Sequence, residues 1–151
     1  MKPKLRKIIG RRELVSFPEL GLMNIEAKID TGAYTSSLHC MEVKQFIKNE
    51  KPFVSFMLFD NGNSLFGNNT IQFPIYKIKN VKNSFGQVEE RIIIKTKLDF
   101  FDKIYDVEIS LADRSAMDYP VLLGRKVLKK RFLVDVSKVN YAAKRKIIEY
   151  N

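Results

Sequence analysis

Residues 24–39 read NIEAKIDTGAYTSSLH, and the way this stretch ends decides the fold. Ile25, Ala27 and Ile29 recur at every second position, with Asn24, Glu26 and Lys28 between them. A period of two is the mark of a half-buried strand. The alternation stops at Asp30-Thr31-Gly32. A carboxylate at the end of a buried strand is costly to desolvate unless hydrogen-bond partners surround it. Gly32 permits backbone angles or close approaches that a Cβ forbids, and the Thr31 hydroxyl can both donate and accept. Together they can hold one carboxylate in a fixed orientation in a dry pocket, as a general acid or base requires. The bland alternative is a solvated strand-end turn, since Asp, Thr and Gly all favour turns.

Outward from this stretch, most segments read as strands. Ile8-Ile9 and Leu14-Val15 flank Gly10-Arg11-Arg12, and residues 18–21 carry turn chemistry. An apolar run at 53–59 ends at Asp60-Asn61-Gly62-Asn63, a hairpin signal. Runs at 71–78 and 88–97 enclose Asn83-Ser84-Phe85-Gly86, and residues 104–111 alternate again. Val121-Leu122-Leu123 reads as a short buried strand closed by Gly124. Residues 125–130 predict about two turns of helix, and 132–136 return to strand. Helix and strand compete over 41–51, and residues 141–150 read as a short basic helix or a frayed tail. Many short strands with glycine-bearing turns and one internal helix predict an all-β barrel or sandwich.

The 151 residues fit one domain, and 45% hydrophobic content supplies a core. No apolar run approaches the roughly 18 residues of a membrane span. The start, MKPKLRKIIGRRE, lacks the apolar region of a signal peptide, and the single Cys40 rules out an intrachain disulfide framework. The expectation is a cytoplasmic protein with no membrane role. A formal net charge of +10 attracts polyanions, or simply keeps the surface solvated.

One carboxylate alone is a poor catalyst of peptide hydrolysis. Two held close share one proton, so that one serves as base toward water and the other as hydrogen-bond donor. The chain contains a single Asp-Thr-Gly. A dyad built on Asp30 therefore demands a second copy across a two-fold axis. A further element strengthens the reading. PVLLGRKVL at 120–128 predicts a strand, a glycine, a basic residue and a helix. Such a strand can pass beside the Asp30 loop, with Gly124 allowing close approach.

Asp30-Thr31-Gly32-Ala33 followed by Leu122-Leu123-Gly124-Arg125 resembles retroviral-type aspartic proteases. IIGRRELVSFPELG, AKIDTGAYTSSLHC, FGQVEERIIIK and ISLADRSAMDYPVLLGRKVLKKRFLVDVSK look like a bacterial retropepsin-like branch that carries the label ATP-dependent zinc protease. These motifs run from Ile8 to Lys138, the core of a single domain with basic ends at 1–7 and 139–151. The resemblance implies a closed retropepsin-like β-barrel with one short helix after the LLGR strand. It implies a homodimer with Asp30, Thr31 and Gly32 as the catalytic set, Thr31 bracing the dyad across the interface. It also implies a flap, assigned to the hairpin at Ser84-Phe85-Gly86 or, second, to the Asn61-Gly62 turn. Ala33, Arg114 and Gly86 are the candidate substrate contacts, and His39, Gly124 and Arg125 the candidate structural supports. For Arg114, substrate anchoring and a structural ion pair stand level. For Arg125 a structural ion pair is favoured; for either arginine the candidate ion-pair partners are Asp113, Asp118 and Asp135. Tyr34 departs from the family's common basic residue at that position.

The branch's label is poorly supported by these residues. His39-Cys40 are adjacent, no HExxH or CxxC occurs, and GNSLFGNN from Gly62 lacks the lysine of a phosphate loop. No cofactor or metal is expected; zinc remains a minor alternative, through two His39 side chains meeting across a dimer. Members of the branch resemble partners of ATP-grasp glutamate ligases, which implies a glutamate-rich or glutamylated substrate and such a ligase as functional partner. The competing readings are a non-catalytic polyanion or RNA module, ranked lower for want of an RNA motif, and an inactive retropepsin-fold scaffold.

Overall fold

The computed structural model describes residues 6–58, 70–82, 85–112 and 119–144. The Asn61-Gly62 turn, the glycine-bearing stretch that follows it, Ser84 and Arg114 lie outside these residues.

The described chain is mostly strand. β1 (Lys7–Ile9) pairs in parallel with β11 (Phe132–Val134) as a small separate sheet. The remaining nine strands form one sheet. They are β2 (Arg12–Phe17), β3 (Leu22–Ile29), β4 (Ser36–Lys48), β5 (Lys51–Leu58), β6 (Thr70–Pro74), β7 (Lys77–Lys82), β8 (Val88–Phe100), β9 (Lys103–Ala112) and β10 (Val121–Leu123). Hydrogen bonding runs β10-β3-β2-β8-β9-β4, and β4 pairs back onto β10, so these strands close a ring. Closure removes the open edges that an exposed sheet must otherwise protect. β5 and β6 extend outward from β4, and β7 hangs on β8 as an antiparallel hairpin arm.

Burial follows the period of two. Leu22, Ile25, Ala27 and Ile29 of β3 face the core while Met23, Asn24 and Lys28 are exposed. Phe17, Phe56, Ile94, Leu98, Ile109 and Leu123 are fully buried inside. Pro18–Leu20 form a 3-10 turn closed by Gly21 at φ 69, a left-handed position that suits glycine.

One segment left open by the sequence is resolved, and two differ from expectation. Residues 41–48, where helix and strand competed, are strand, because they ladder with β5. The β4–β5 and β8–β9 hairpins turn on Asn49-Glu50 and Phe101-Asp102, with φ of 50, 64, 55 and 62 in that order. Positive φ at both central residues is the turn that matches strand twist. The run at 71–78 is two strands, since after Pro74 the chain leaves β5, and the Tyr76 N–H donates to the Ile93 carbonyl at 2.9 Å. The helix α1 (Arg125–Leu128) is one turn rather than two, because Lys129 is extended and Lys130 sits at φ 66.

Glu13, fully buried in β2, fastens the C-terminal segment. Its carboxylate accepts the N–H groups of Gly10 at 2.7 Å, Tyr141 at 3.1 Å and Ala142 at 3.0 Å. The last two begin the helical turn at 141–144, so a side chain distant in sequence caps that turn's start. The same segment crowds Gly10, where a Cβ would lie 2.3 Å from the Lys138 carbonyl oxygen. Replacing Glu13 by Ala leaves three amides without acceptors. The expected cost is about 2–4 kcal/mol, measured by denaturant unfolding, with Glu13→Gln less costly because one acceptor oxygen stays.

Candidate active site

Asp30 follows directly on β3. Its N–H donates to the Leu123 carbonyl at 2.9 Å, and its Oδ1 accepts the Gly32 N–H at 3.0 Å. The Ala33 N–H returns to the Asp30 carbonyl at 3.3 Å, closing a tight turn. A Cβ on Gly32 would sit 3.3 Å from that same Oδ1, so glycine serves here by letting backbone and carboxylate approach. The described contact of Thr31 is its carbonyl rather than its hydroxyl, and the residue is exposed. Asp30 is itself only partly buried, so in the isolated protomer the pocket is open rather than dry.

The loop is clamped from the other side by β10 and α1. The Arg125 N–H donates to Ala33 O at 2.8 Å, and the Lys126 N–H to Tyr34 O at 3.0 Å. Arg125 Nη1 donates to Thr31 O at 3.0 Å, with its guanidinium 5.8 Å from the Tyr34 ring centre. The Gly124 N–H donates to Ser36 Oγ at 3.0 Å. A Cβ on Gly124 would come within 2.8 Å of Tyr34 O and 2.9 Å of Ala33 O. The expected approach of this strand to the Asp30 loop is therefore present, and Gly124 is what permits it. Arg125 thus bonds a loop carbonyl; Asp135, one of its expected partners, instead accepts from Ser137.

A cleft of about 400 Å3 opens beside Asp30. Ala33, Tyr34, Ser37, Ser110 and Leu122 line it with Asp30, and Lys79, Val81, Arg91 and Ile93 reach it from the β7–β8 hairpin. The hairpin chosen from sequence as the flap thus does border the cleft. Gly86, at its tip with φ 79, does not line it; the residues that do belong to the hairpin stem. His39 is buried in β4, and its N–H donates to Pro120 O at 2.8 Å. Cys40 is buried too, so although the two point to opposite faces, neither face is solvent. That burial leaves little of His39 to meet a second copy. Among the described residues no three of His, Cys, Asp and Glu gather as metal ligands would, and no helix is long and apolar enough to cross a membrane.

Sequence reasoning missed Lys79, Arg91, Ser110 and a charge cluster at the hairpin base. Glu108 of β9 pairs with Lys77 of β7 at 2.9 Å and with Lys126 of α1. Burial opposes ionisation of Glu108, but hydrogen bonds and the charges of Lys126 and Lys77 outweigh it and hold its carboxyl below the ordinary value. KIKNVK at 77–82 carries no clean period of two, so the sequence did not show which strand it would face.

Comparison with known proteins agrees with this fold. The family described as retropepsin-like aspartic endopeptidase RimB matches residues 8–146. A probable alpha-L-glutamate ligase of Desulfotalea psychrophila is 37% identical over 134 residues, and one of Shewanella halifaxensis 35% over 130. Each alignment covers 86% of this chain, and the chain spans only 28% of the length of these relatives. A crystal structure of a Legionella pneumophila protein of unknown function superposes with a TM-score of 0.74 at 23% identity, covering 91% of this chain and 99% of that one. That last likeness concerns fold alone.

Two outcomes test the clamp. Gly124→Ala should cost about 1–3 kcal/mol by overpacking against the 33–34 carbonyls, read by thermal unfolding. Glu108, with its folded value lowered, contributes stability above its unfolded value near 4.5 and loses it as pH falls through the folded value. Glu108→Gln should therefore flatten the acid limb of the stability curve and leave its shape at neutral pH unaltered.

Proposed function

The chain belongs to the RimB-like family of retropepsin-like aspartic endopeptidases, and from that premise we propose that it is an aspartic-type peptidase, working as a homodimer on glutamate-rich or glutamylated polypeptides. The observation that carries the reading is the clamped, partly exposed Asp30 carboxylate facing a cleft bordered by a hairpin. A single Asp-Thr-Gly per chain requires a second copy to complete a dyad.

In that dyad one carboxylate is ionised and the other carries the shared proton. The ionised one takes a proton from water as the water oxygen attacks the peptide carbonyl carbon. The protonated one gives its proton to the carbonyl oxygen, forming a neutral diol. A proton then moves to the amide nitrogen, a diol hydroxyl returns its proton to the dyad, and the carbon–nitrogen bond breaks. The Gly32 N–H and the β10 clamp keep Asp30 oriented through both steps. Extended substrate would lie along the cleft as an added strand.

Two observations support an acidic substrate. The cleft carries Lys79 and Arg91 beside one carboxylate. The matched segment is also a part of longer proteins named probable alpha-L-glutamate ligase, which suits a chain acting beside glutamate addition, with such a ligase as functional partner. A second reading, a non-catalytic polyanion binder, draws on a separate cleft of about 450 Å3 lined by Lys7, Lys103, Lys130 and Arg131 with one carboxylate, Asp106. It predicts RNA binding that weakens steeply with salt.

The test is cleavage of α-linked oligoglutamate and mixed peptides, followed by mass spectrometry, with wild type and Asp30→Asn in parallel, each with and without chelator. Wild type should cleave, chelator should change nothing, and Asp30→Asn should lose roughly 10²–10⁴-fold or more. Full turnover by Asp30→Asn, or an active species that sediments as a monomer, sinks the reading.

A further inference from the structure

Lys79 and Arg91 face each other directly in the β7–β8 register. Residues opposite one another on an antiparallel pair share a face, so both belong to the face that borders the Asp30 cleft. Two like charges in that relation repel and weaken the hairpin they sit on. The local acids do not resolve this. Glu108 is occupied by Lys77 and Lys126. Glu89, nearer the tip, is 3.9 Å from Arg91, at the limit of an ion pair. Lys79 has no ion-pair partner among the described residues.

A second observation comes from the neighbouring strand. Ser110 of β9 is 2% exposed and lines the same cleft, and among the described residues its Oγ has no hydrogen-bond partner. A buried hydroxyl left unpaired is costly, and such groups mark places where something else completes the bonding. Ser110 lies opposite Ile93, two residues along the strand from Arg91. That diagonal is about 7–8 Å between backbones, within reach of an arginine side chain.

We propose that Lys79 and Arg91, with the Ser110 hydroxyl, form a subsite that takes a carboxylate side chain of the substrate polypeptide. The anion screens the repulsion between the two cations, so an acidic side chain both binds there and stiffens the hairpin over the cleft. The guanidinium offers a planar fork, Lys79 a point charge, and Ser110 a neutral donor to an oxygen left over. A glutamine side chain, of the same shape, offers no charge and brings an amide donor that neither cation can accept, leaving only the Ser110 oxygen to take it. Selection therefore works by repulsion as well as attraction. This rests on the peptidase reading for what the cleft does, but its test needs no turnover.

Tetraglutamate and tetraglutamine peptides are titrated into Asp30→Asn protein by calorimetry, with and without the added changes Lys79→Met and Arg91→Met. Tetraglutamate should bind roughly tenfold or more tighter than tetraglutamine. The preference should fall several-fold with either change and vanish with both, while tetraglutamine binding moves little. Amide exchange over 88–91 should slow with tetraglutamate and not with tetraglutamine. In ligand-free protein the thermal midpoint of the double variant should hold or rise, since a repulsion is removed. An unchanged glutamate preference in the double variant overturns the subsite, as does a midpoint lowered by several degrees, which would make the pair structural. If the preference depends on the pair yet wild type cleaves nothing, the subsite stands and the peptidase reading falls.

Discussion

Three residues of β10 close the ring and hold the Asp30 turn. Val121–Leu123 pair in parallel with β3 on one side, and Val121 and Leu122 pair antiparallel with β4 on the other. Without this strand the ring has two open edges, and the Asp30 turn loses the carbonyl that anchors its first amide. Gly124 then turns the chain so closely against the loop that no side chain fits between. α1, a single turn, places its first two amides on the loop's carbonyls. Fold closure and carboxylate orientation are thus one set of hydrogen bonds.

Much of this was legible. The alternation over 24–29 marked a strand, and the polar Asp-Thr-Gly that ended it marked the turn that follows, which lies beside the cleft. LLGR signalled a strand and a glycine able to come close. Illegible were features whose cause lies across space. Asn49-Glu50 and Phe101-Asp102 turn at positive φ without a glycine, because long ladders on both sides impose the geometry. Arg125 bonds a carbonyl 94 residues away, so no local charge pattern could identify its partner. Lys79 and Arg91 look like ordinary surface cations until the hairpin register sets them opposite each other.

Charge also ties the elements together. Glu108 joins the base of the hairpin arm to α1, and so joins the roof of the cleft to the clamp under Asp30. Glu13 does the corresponding work at the far end, holding the C-terminal segment onto β2 by main-chain amides. Both are carboxylates embedded among donors, which gives direction where hydrophobic packing gives none.

The separation between loop and clamp bears on how the chain comes off the ribosome. Asp30 is synthesised well before Leu123 and its successors, which emerge only after the other ring-forming strands. Closing so long a loop is entropically slow, and contacts of this range form late. Until then the carboxylate sits on a floppy turn with no fixed direction. A nascent chain therefore carries Asp30 without the partners that fix its turn, and the loop takes its defined form only with the completed fold.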